Sequence, residues 1–441
     1  MNLYIHVPFC HGKCAYCAFY SEPSFSLSLW NAWLNRMERE LAKISEPVTT
    51  LYLGGGTPTL APVEELEKLG NILRKNLTFI PGCERSIECN PETLTPEKAS
   101  FLAEYFNRVS MGAQSFSAAS LRAIGRTARD PDVIRSAYSE LRRAGNRNIG
   151  LDIMYALPGQ RIDDFASDLQ AVSELAPEHL SAYSLTLEEG TALASEKGLR
   201  VPSDEESAEE WELLGSFDPV RYPRYEISNY AASPHECRHN QSVWHGEPYL
   251  GLGPAASSFD GTRRWTEAPD LRRWLAGEPP EFDDIPHESR LREIFVMGLR
   301  TVRGWEKSGF AKVAGRSIEF MRPQFFPLFD AGLLEETPEA IRAGSGSGAA
   351  ALWRGTAFAR EAELGDEAAK GGSLTAFEKA CDDAVLRAAG AARRVPFGVE
   401  VALGYLAAKE AEWTAVRTVL SGRMAGVPTE ALRERLREQY V

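Results

Sequence analysis

Residues 3–17 read LYIHVPFCHGKCAYC. Leu3–Val7 is a short aromatic and β-branched run, the make-up of a strand. Directly behind it come Cys10, Cys14 and Cys17, spaced Cys-x3-Cys-x2-Cys. Thiolates ligate iron–sulfur clusters, and a four-iron cubane in a ferredoxin takes four of them. Three in one tight loop leave one iron without a protein ligand, open to chelation by a small molecule. On spacing alone a structural zinc site is the alternative, with His6 or His11 as its fourth ligand, although structural zinc more often uses two separated pairs.

Outward from this stretch, strand-like runs alternate with amphipathic ones. The strands are expected at Leu3–Val7, Thr50–Leu53, Arg85–Glu88, Arg108–Met111, Ile149–Tyr155 and Leu180–Leu187. Helices are expected at Leu27–Ile44, Pro62–Arg74, Pro131–Arg143 and Ile162–Leu175, with Asp130 as an N-cap before Pro131 at the first helical position. Six strands each followed by helix imply an α/β fold, a parallel sheet with right-handed crossovers. Six units are too few for a closed eight-stranded barrel, so the expectation is an open three-quarter (β/α)6 barrel over residues 1–202. Residues 203–287 look loop-rich and aromatic. Residues 288–342 look like a small helical module whose first helix is LREIFVMGLRTVRGW. A flexible linker, AGSGSGAAA, fills 343–351, and residues 352–441, rich in Ala, Glu, Arg and Leu, read as an all-α tail.

The strand ends carry the chemistry. The second ends in Leu53-Gly54-Gly55-Gly56-Thr57-Pro58-Thr59, where glycines let backbone N–H and C=O groups approach a ligand closely. Glu88 and Asn90 end the third strand, Gln114 the fourth, and Asp152 sits in the otherwise apolar fifth. A buried carboxylate without a partner is costly. In parallel β/α barrels ligands bind at the C-terminal ends of the strands, and these residues all fall at that end.

The bulk properties exclude other classes. A chain of 441 residues suggests two or three domains, and 44% apolar with 25% charged residues is ordinary for a globular protein. A formal charge of −13 argues against a nucleic-acid surface. There is no uninterrupted apolar run of membrane-spanning length, and MNLYIHVPFC does not read as a secretory signal. Seven cysteines, three of them in one loop, suit a reducing cytoplasm better than a disulfide framework. Cys83, Cys89, Cys237 and Cys381 are expected to be buried free thiols.

In series, IHVPFC with Cys14 and Cys17, YLGGGTPT, IECNPET, RVSMGAQSF, LDIMYALPGQ and HNQSVWHGEPYLGLGPAA resemble the radical SAM (S-adenosylmethionine) family of oxygen-independent coproporphyrinogen dehydrogenase and the HemW heme chaperone. The resemblance runs from residue 1 to about 340, with 288–342 as a HemN-type C-terminal module. It implies a 4Fe-4S cluster on Cys10, Cys14 and Cys17, with SAM on the open iron. It implies SAM contacts from Tyr4, Gly55, Gly56, Thr57, Glu88, Gln114, Arg126 and Asp152; Tyr4 and Arg126 enter through the resemblance alone.

Within that family the decarboxylating enzyme resembles Cys-x3-Cys-x2-Cys-x-Cys and carries a longer segment before the first cysteine. Here Phe19 holds the fourth position and nine residues precede Cys10, the pattern typical of the chaperone. HNQSVW resembles the HNxxYW motif linked to heme binding, with Val243 in place of tyrosine. His239 and Trp244 are therefore expected to meet heme as cargo, with His235 and His245 nearby. The resemblance implies delivery of heme to respiratory proteins from the cytoplasm, with peripheral contact at the membrane. Oxidative decarboxylation of coproporphyrinogen III is the alternative. The tail, from FEKACDDAVL through PFGVEVALGYLAAKEAE to LRERLREQYV, resembles the last third of the helical protein that links the membrane rotor ring to the central stalk in V-type ATP synthases. A fusion at the Gly-Ser linker is implied, and through it contacts with V-type ATPase parts; a rotor-stalk role is the further alternative.

Overall fold

The computed structural model describes residues 1–343 apart from 197, 323–333 and 338–339. The expected linker beyond residue 343, the helical tail and Cys381 lie outside the described residues. The chain divides into two compact units, Met1–Trp305 with Gly309–Arg316, and Glu306–Ser308 with Ser317–Val441.

The first unit begins as β1 (Asn2–Val7), α1 (Leu27–Leu41), β2 (Val48–Gly55), α2 (Val63–Asn76), β3 (Phe79–Cys89), α3 (Pro96–Tyr105), β4 (Arg108–Gln114), α4 (Ala118–Ala123), α5 (Pro131–Arg143), β5 (Ile149–Tyr155), α6 (Ile162–Leu175) and β6 (His179–Ser184). Strands β1 to β6 pair in sequence order, all parallel. The helices pack beside one another in chain order, α1 on α2, α2 on α3, and α3 on α5. Asp130 caps α5 by accepting the Asp132 N–H, and Pro131 opens the helix.

Alternation along the strands divides the sheet into two faces. Leu3, Ile5, Val7, Leu51, Leu53, Ile87, Val109, Met111, Ile149, Leu151, Ile153, Leu180 and Ala182 are buried in one apolar core with Trp30, Trp33, Met37, Leu66, Leu102, Leu141 and Phe165 from the helices. The residues between them, among them Tyr52, Glu88, Arg108, Ser110, Asp152 and Ser181, face the lumen and line a cavity there.

Residues 203–287 are more regular than the sequence suggests. They form α7 (Asp204–Ser216), β7 (Asn229–Ala231), α8 (Arg238–Trp244), β8 (Tyr249–Leu252), β9 (Ser257–Phe259), β10 (Arg264–Thr266), α9 (Leu271–Leu275) and β11 (Glu281–Asp283). Among the described residues their strands widen the sheet to eleven, in the order β11-β10-β9-β8-β1-β2-β3-β4-β5-β6-β7. β8 joins β1 in parallel, and β7 joins β6 antiparallel. Strands of three or four residues are too short to show a two-residue period, which is why this segment reads as loop.

The expected small helical module carries short strands as well as helices. Its first helix, α10 (His287–Leu299), stops six residues short of Trp305; Thr301 donates its hydroxyl to the Gly298 carbonyl and Gly304 takes a positive φ of 61°. Strand β12 (Trp305–Glu306) and α11 (Lys307–Ala314) follow. Among its described residues the second unit carries an antiparallel hairpin, β13 (Leu334–Glu336) with β14 (Ala340–Ala343). Thr337 closes it through its N–H to the Ala340 carbonyl at 2.8 Å. No described helix is long and apolar enough to cross a membrane.

Candidate cluster and cofactor site

The cysteine loop is fixed at both ends. Phe9 bridges to Glu22, and the Cys10 N–H donates to the Glu22 carbonyl at 3.0 Å. Farther along, the Ala15 N–H donates to Ile124 at 3.1 Å and the Leu193 N–H to Ala15 at 2.8 Å. At the end of β2, Gly56 and Thr57 donate to Val7 and Phe9 at 2.8 and 2.7 Å. Glycine is required in that turn. Gly55 has φ +112°, and a Cβ there would lie 2.6 Å from the His6 ring; a Cβ on Gly56 would lie 2.5 Å from the Phe9 carbonyl oxygen.

Cys10, Cys14 and Cys17 are free, half-buried thiols, and all three line one cavity of about 350 Å³. Gly55, Gly56, Thr57, Glu88, Gln114, Arg126 and Asp152 line it too. Cys10 Sγ lies 3.4 Å from Thr57 Oγ1, and the Arg126 guanidinium reaches Cys14 Sγ at 4.0 Å. Arg126 is further held by the Gly112 carbonyl at 2.9 Å and by Glu92 at 3.4 Å. Gln114 follows a shift of register between β4 and β5 and has φ +65°, a left-handed conformation unusual for a side chain of its length.

The two carboxylates sit on strands flanking β4. Glu88 accepts the Tyr52 hydroxyl at 2.9 Å on one oxygen and the Gly55 N–H at 3.1 Å on the other. Burial pushes its carboxyl up to about 7, and the neighbouring Asp152 adds to the push. Asp152 accepts the Ser110 hydroxyl at 3.1 Å; burial raises it as well, against bonds from Ser181 and Ser110 and the charge of Arg108.

Tyr4 is placed differently. It does not line the cavity; its hydroxyl meets His6 Nδ1 at 3.0 Å and its ring stacks on Tyr52. His6 is thereby withdrawn from metal ligation, since Nε2 is 2.9 Å from the Tyr20 carbonyl. Among the described residues no three His, Cys, Asp or Glu side chains gather around a single ion. A cubane does not ask that of them, because each thiolate takes a different iron. The donor set thus fits a cluster with one open iron: three thiols from one pinned loop, and beside them a cavity with exposed glycine backbone and two carboxylates.

His239 and Trp244 do not come together on an open surface. His239 is 5% exposed, with Nδ1 2.8 Å from Thr50 Oγ1 and its ring against Tyr52. Trp244 packs near Tyr225 and under the Arg300 guanidinium. His245 is engaged at both nitrogens, by the Gln241 and Gly304 carbonyls. From this helix it is Asn240 that lines the cavity.

Sequence reasoning missed several lumen residues. Arg108, 2% exposed, lines the cavity while its Nε and Nη1 find no hydrogen-bond partner among the described protein atoms. Ser110, Ser181 and Tyr52 line it with Arg108. The signal was present as polar residues two apart, Arg108-x-Ser110 and His179-x-Ser181, inside strands that are otherwise apolar. Cys83, Cys89 and Cys237 are buried and free, as expected.

Comparison with known proteins agrees with this geometry. Residues 4–172 match the radical SAM superfamily, and residues 314–435 match the ATP synthase (C/AC39) subunit family. Coproporphyrinogen III oxidase (HemN) from Escherichia coli, a radical SAM enzyme, superposes with a TM-score of 0.65 at 23% identity, over 78% of this chain and 86% of that one. That likeness is one of fold. The heme chaperone HemW of Bacillus subtilis (strain 168) is 33% identical over 360 residues, covering 77% of this chain and 94% of that protein. HemW of Escherichia coli (strain K12) is 29% identical over 352 residues, covering 76% and 92%. The chain belongs to the HemW heme chaperone family, within the radical SAM superfamily.

Proposed function

We propose that this protein is a heme chaperone of the cytoplasm that holds a 4Fe-4S cluster on Cys10, Cys14 and Cys17, keeps SAM in the adjoining cavity, and carries heme to respiratory proteins at the membrane. The observation that carries the reading is the convergence of the three thiols, the backbone of residues 55–57 and the carboxylates of Glu88 and Asp152 on one cavity. A bound cluster with SAM on its open iron supplies one-electron chemistry. The chain's own residues bind and orient: the glycine backbone approaches the cofactor closely, Asp152 accepts hydrogen bonds in the lumen, and Arg126 fixes the Cys14 side of the loop. A cavity of about 350 Å³ is at the lower end of small-ligand sites. Its lining of thiols, glycine backbone and carboxylates suits the cluster with SAM beside it.

Phe19 favours this reading over coproporphyrinogen decarboxylation. It stands where the enzyme pattern has its fourth cysteine, 70% exposed on the lip of the cavity. The test is anaerobic reconstitution of the full chain, then heme titration, heme transfer to an apo-hemoprotein, and assay of SAM-dependent carbon dioxide release from coproporphyrinogen III. Heme uptake and transfer without carbon dioxide are expected. Reproducible decarboxylation would move the protein to the enzyme branch.

A further inference from the structure

Helix α8 approaches the cofactor cavity with two consecutive residues. Asn240 forms part of the wall. His239 stands behind the wall: its ring centroid is 5.3 Å from that of Tyr52, with the planes 32° apart, and Nδ1 is 2.8 Å from Thr50 Oγ1. Thr50 and Tyr52 are alternate residues of β2 and so share its lumen face. The Tyr52 hydroxyl donates to Glu88, whose second oxygen receives the Gly55 N–H. The helix is itself anchored, since Glu84 on β3 accepts the N–H groups of Arg238 and His239, both at 2.9 Å.

Tyr52 borders the cavity on one side, where its hydroxyl is tied to Glu88. Two aromatic rings pack on it and restrain its plane, Tyr4, stacked at 6.2 Å, and His239. A phenol free to swing would release Glu88, and Glu88 would no longer fix the N–H of Gly55. We propose that His239 is a positioning residue for SAM, acting through Tyr52 on Glu88 and Gly55, and is not an axial ligand of heme iron. The proposal rests on reading the cavity as the SAM site. Burial, followed by the charge of Arg108, lowers the imidazole to about 4, so His239 works here as a neutral ring at all ordinary pH values.

The experiment is a double-mutant cycle on the reconstituted full chain, with SAM affinity read by calorimetry and heme titrated in parallel. Coupling between touching residues predicts that His239→Ala raises the Kd for SAM by about 3- to 10-fold. His239→Phe, which keeps a ring against Tyr52, should recover most of that loss. Tyr52→Phe should weaken SAM binding on its own, and adding His239→Ala to it should cost nothing further. The heme absorption spectrum should be the same throughout. If His239→Ala fails to hold the cluster, His239→Gln takes its place in the same cycle. Unchanged SAM affinity, losses that multiply in the double variant, or a heme spectrum altered by the substitution at His239 would each overturn the proposal. A wild-type chain that takes up its cluster and binds no SAM would overturn the reading of the cavity itself.

Discussion

The Tyr52 hydroxyl donates a 2.9 Å hydrogen bond to Glu88, and this bond joins the second strand to the third across the lumen. Together with the Gly55 N–H and the charge of Arg108 it opposes the burial of the carboxylate, and the three do not offset it.

A pH dependence of stability follows. In the unfolded chain Glu88 ionises near 4.5, whereas in the folded protein it holds its proton to about 7. Stability from this group is therefore complete below about 4.5 and is lost as pH rises from there to about 7, on the order of 3 kcal/mol. Glu88→Gln should remove that loss. Urea denaturation of the cluster-free protein at pH 5 and pH 8 should show the variant gaining stability over wild type between the two. Asp168 and Glu210, also raised by burial, titrate in both proteins and cancel in the difference.

The three thiols should act as a set. Anaerobic reconstitution should load about four iron and four sulfide per chain, and Cys10→Ala, Cys14→Ala or Cys17→Ala should each abolish stable loading. Iron and sulfide analysis with the visible spectrum checks this; full-occupancy zinc without an iron chromophore would contradict it.

Asp152 should matter for cofactor more than for folding. Hydrogen bonds to charged groups contribute about 1.5–3 kcal/mol, so Asp152→Asn should weaken SAM binding by about 10- to 100-fold. Because burial disfavours the ionised side chain, the melting temperature should hold or rise. An unchanged SAM affinity with a lowered melting temperature would make Asp152 a structural residue.

Residues past the hairpin should be dispensable for the site, because every lining residue of the cavity belongs to the first unit. A chain ending at Ala343, which keeps β14, should take up the cluster and bind SAM as the full chain does. Loss of the cluster on this truncation would show that the C-terminal stretch is needed for the barrel.

Much of this was legible in the residues because the barrel strands are long enough to show their pattern. β5, α5 and α6 run as the sequence indicates, and the glycine turn after Leu53 and the polar strand ends meet at one cavity. Arg108, Ser110 and Ser181 stood out only as polar residues two apart, and polar alternation along a strand does not tell an enclosed lumen face from a solvated one. Tyr4 reads as a ligand contact, yet its alternation partner His6 lies within hydrogen-bond reach and takes its hydroxyl. His239 stands in a motif that reads as a loop, and only the packing of α8 against β2 shows that its ring is enclosed. Local pattern reports periodicity; it does not report which element from 189 residues away, as between Thr50 and His239, closes a surface.

The parallel pairing of β1 with β8, Asn2 opposite Tyr249, has a consequence during synthesis. One side of the first strand gains its neighbour when β2 emerges, but its other side waits for a segment about 250 residues later. At about 5–20 residues per second that wait lasts about 10–50 s. Throughout it the strand that leads into Cys10 presents unpaired N–H and C=O groups to whatever else is in the cell, a template for mispairing between nascent chains.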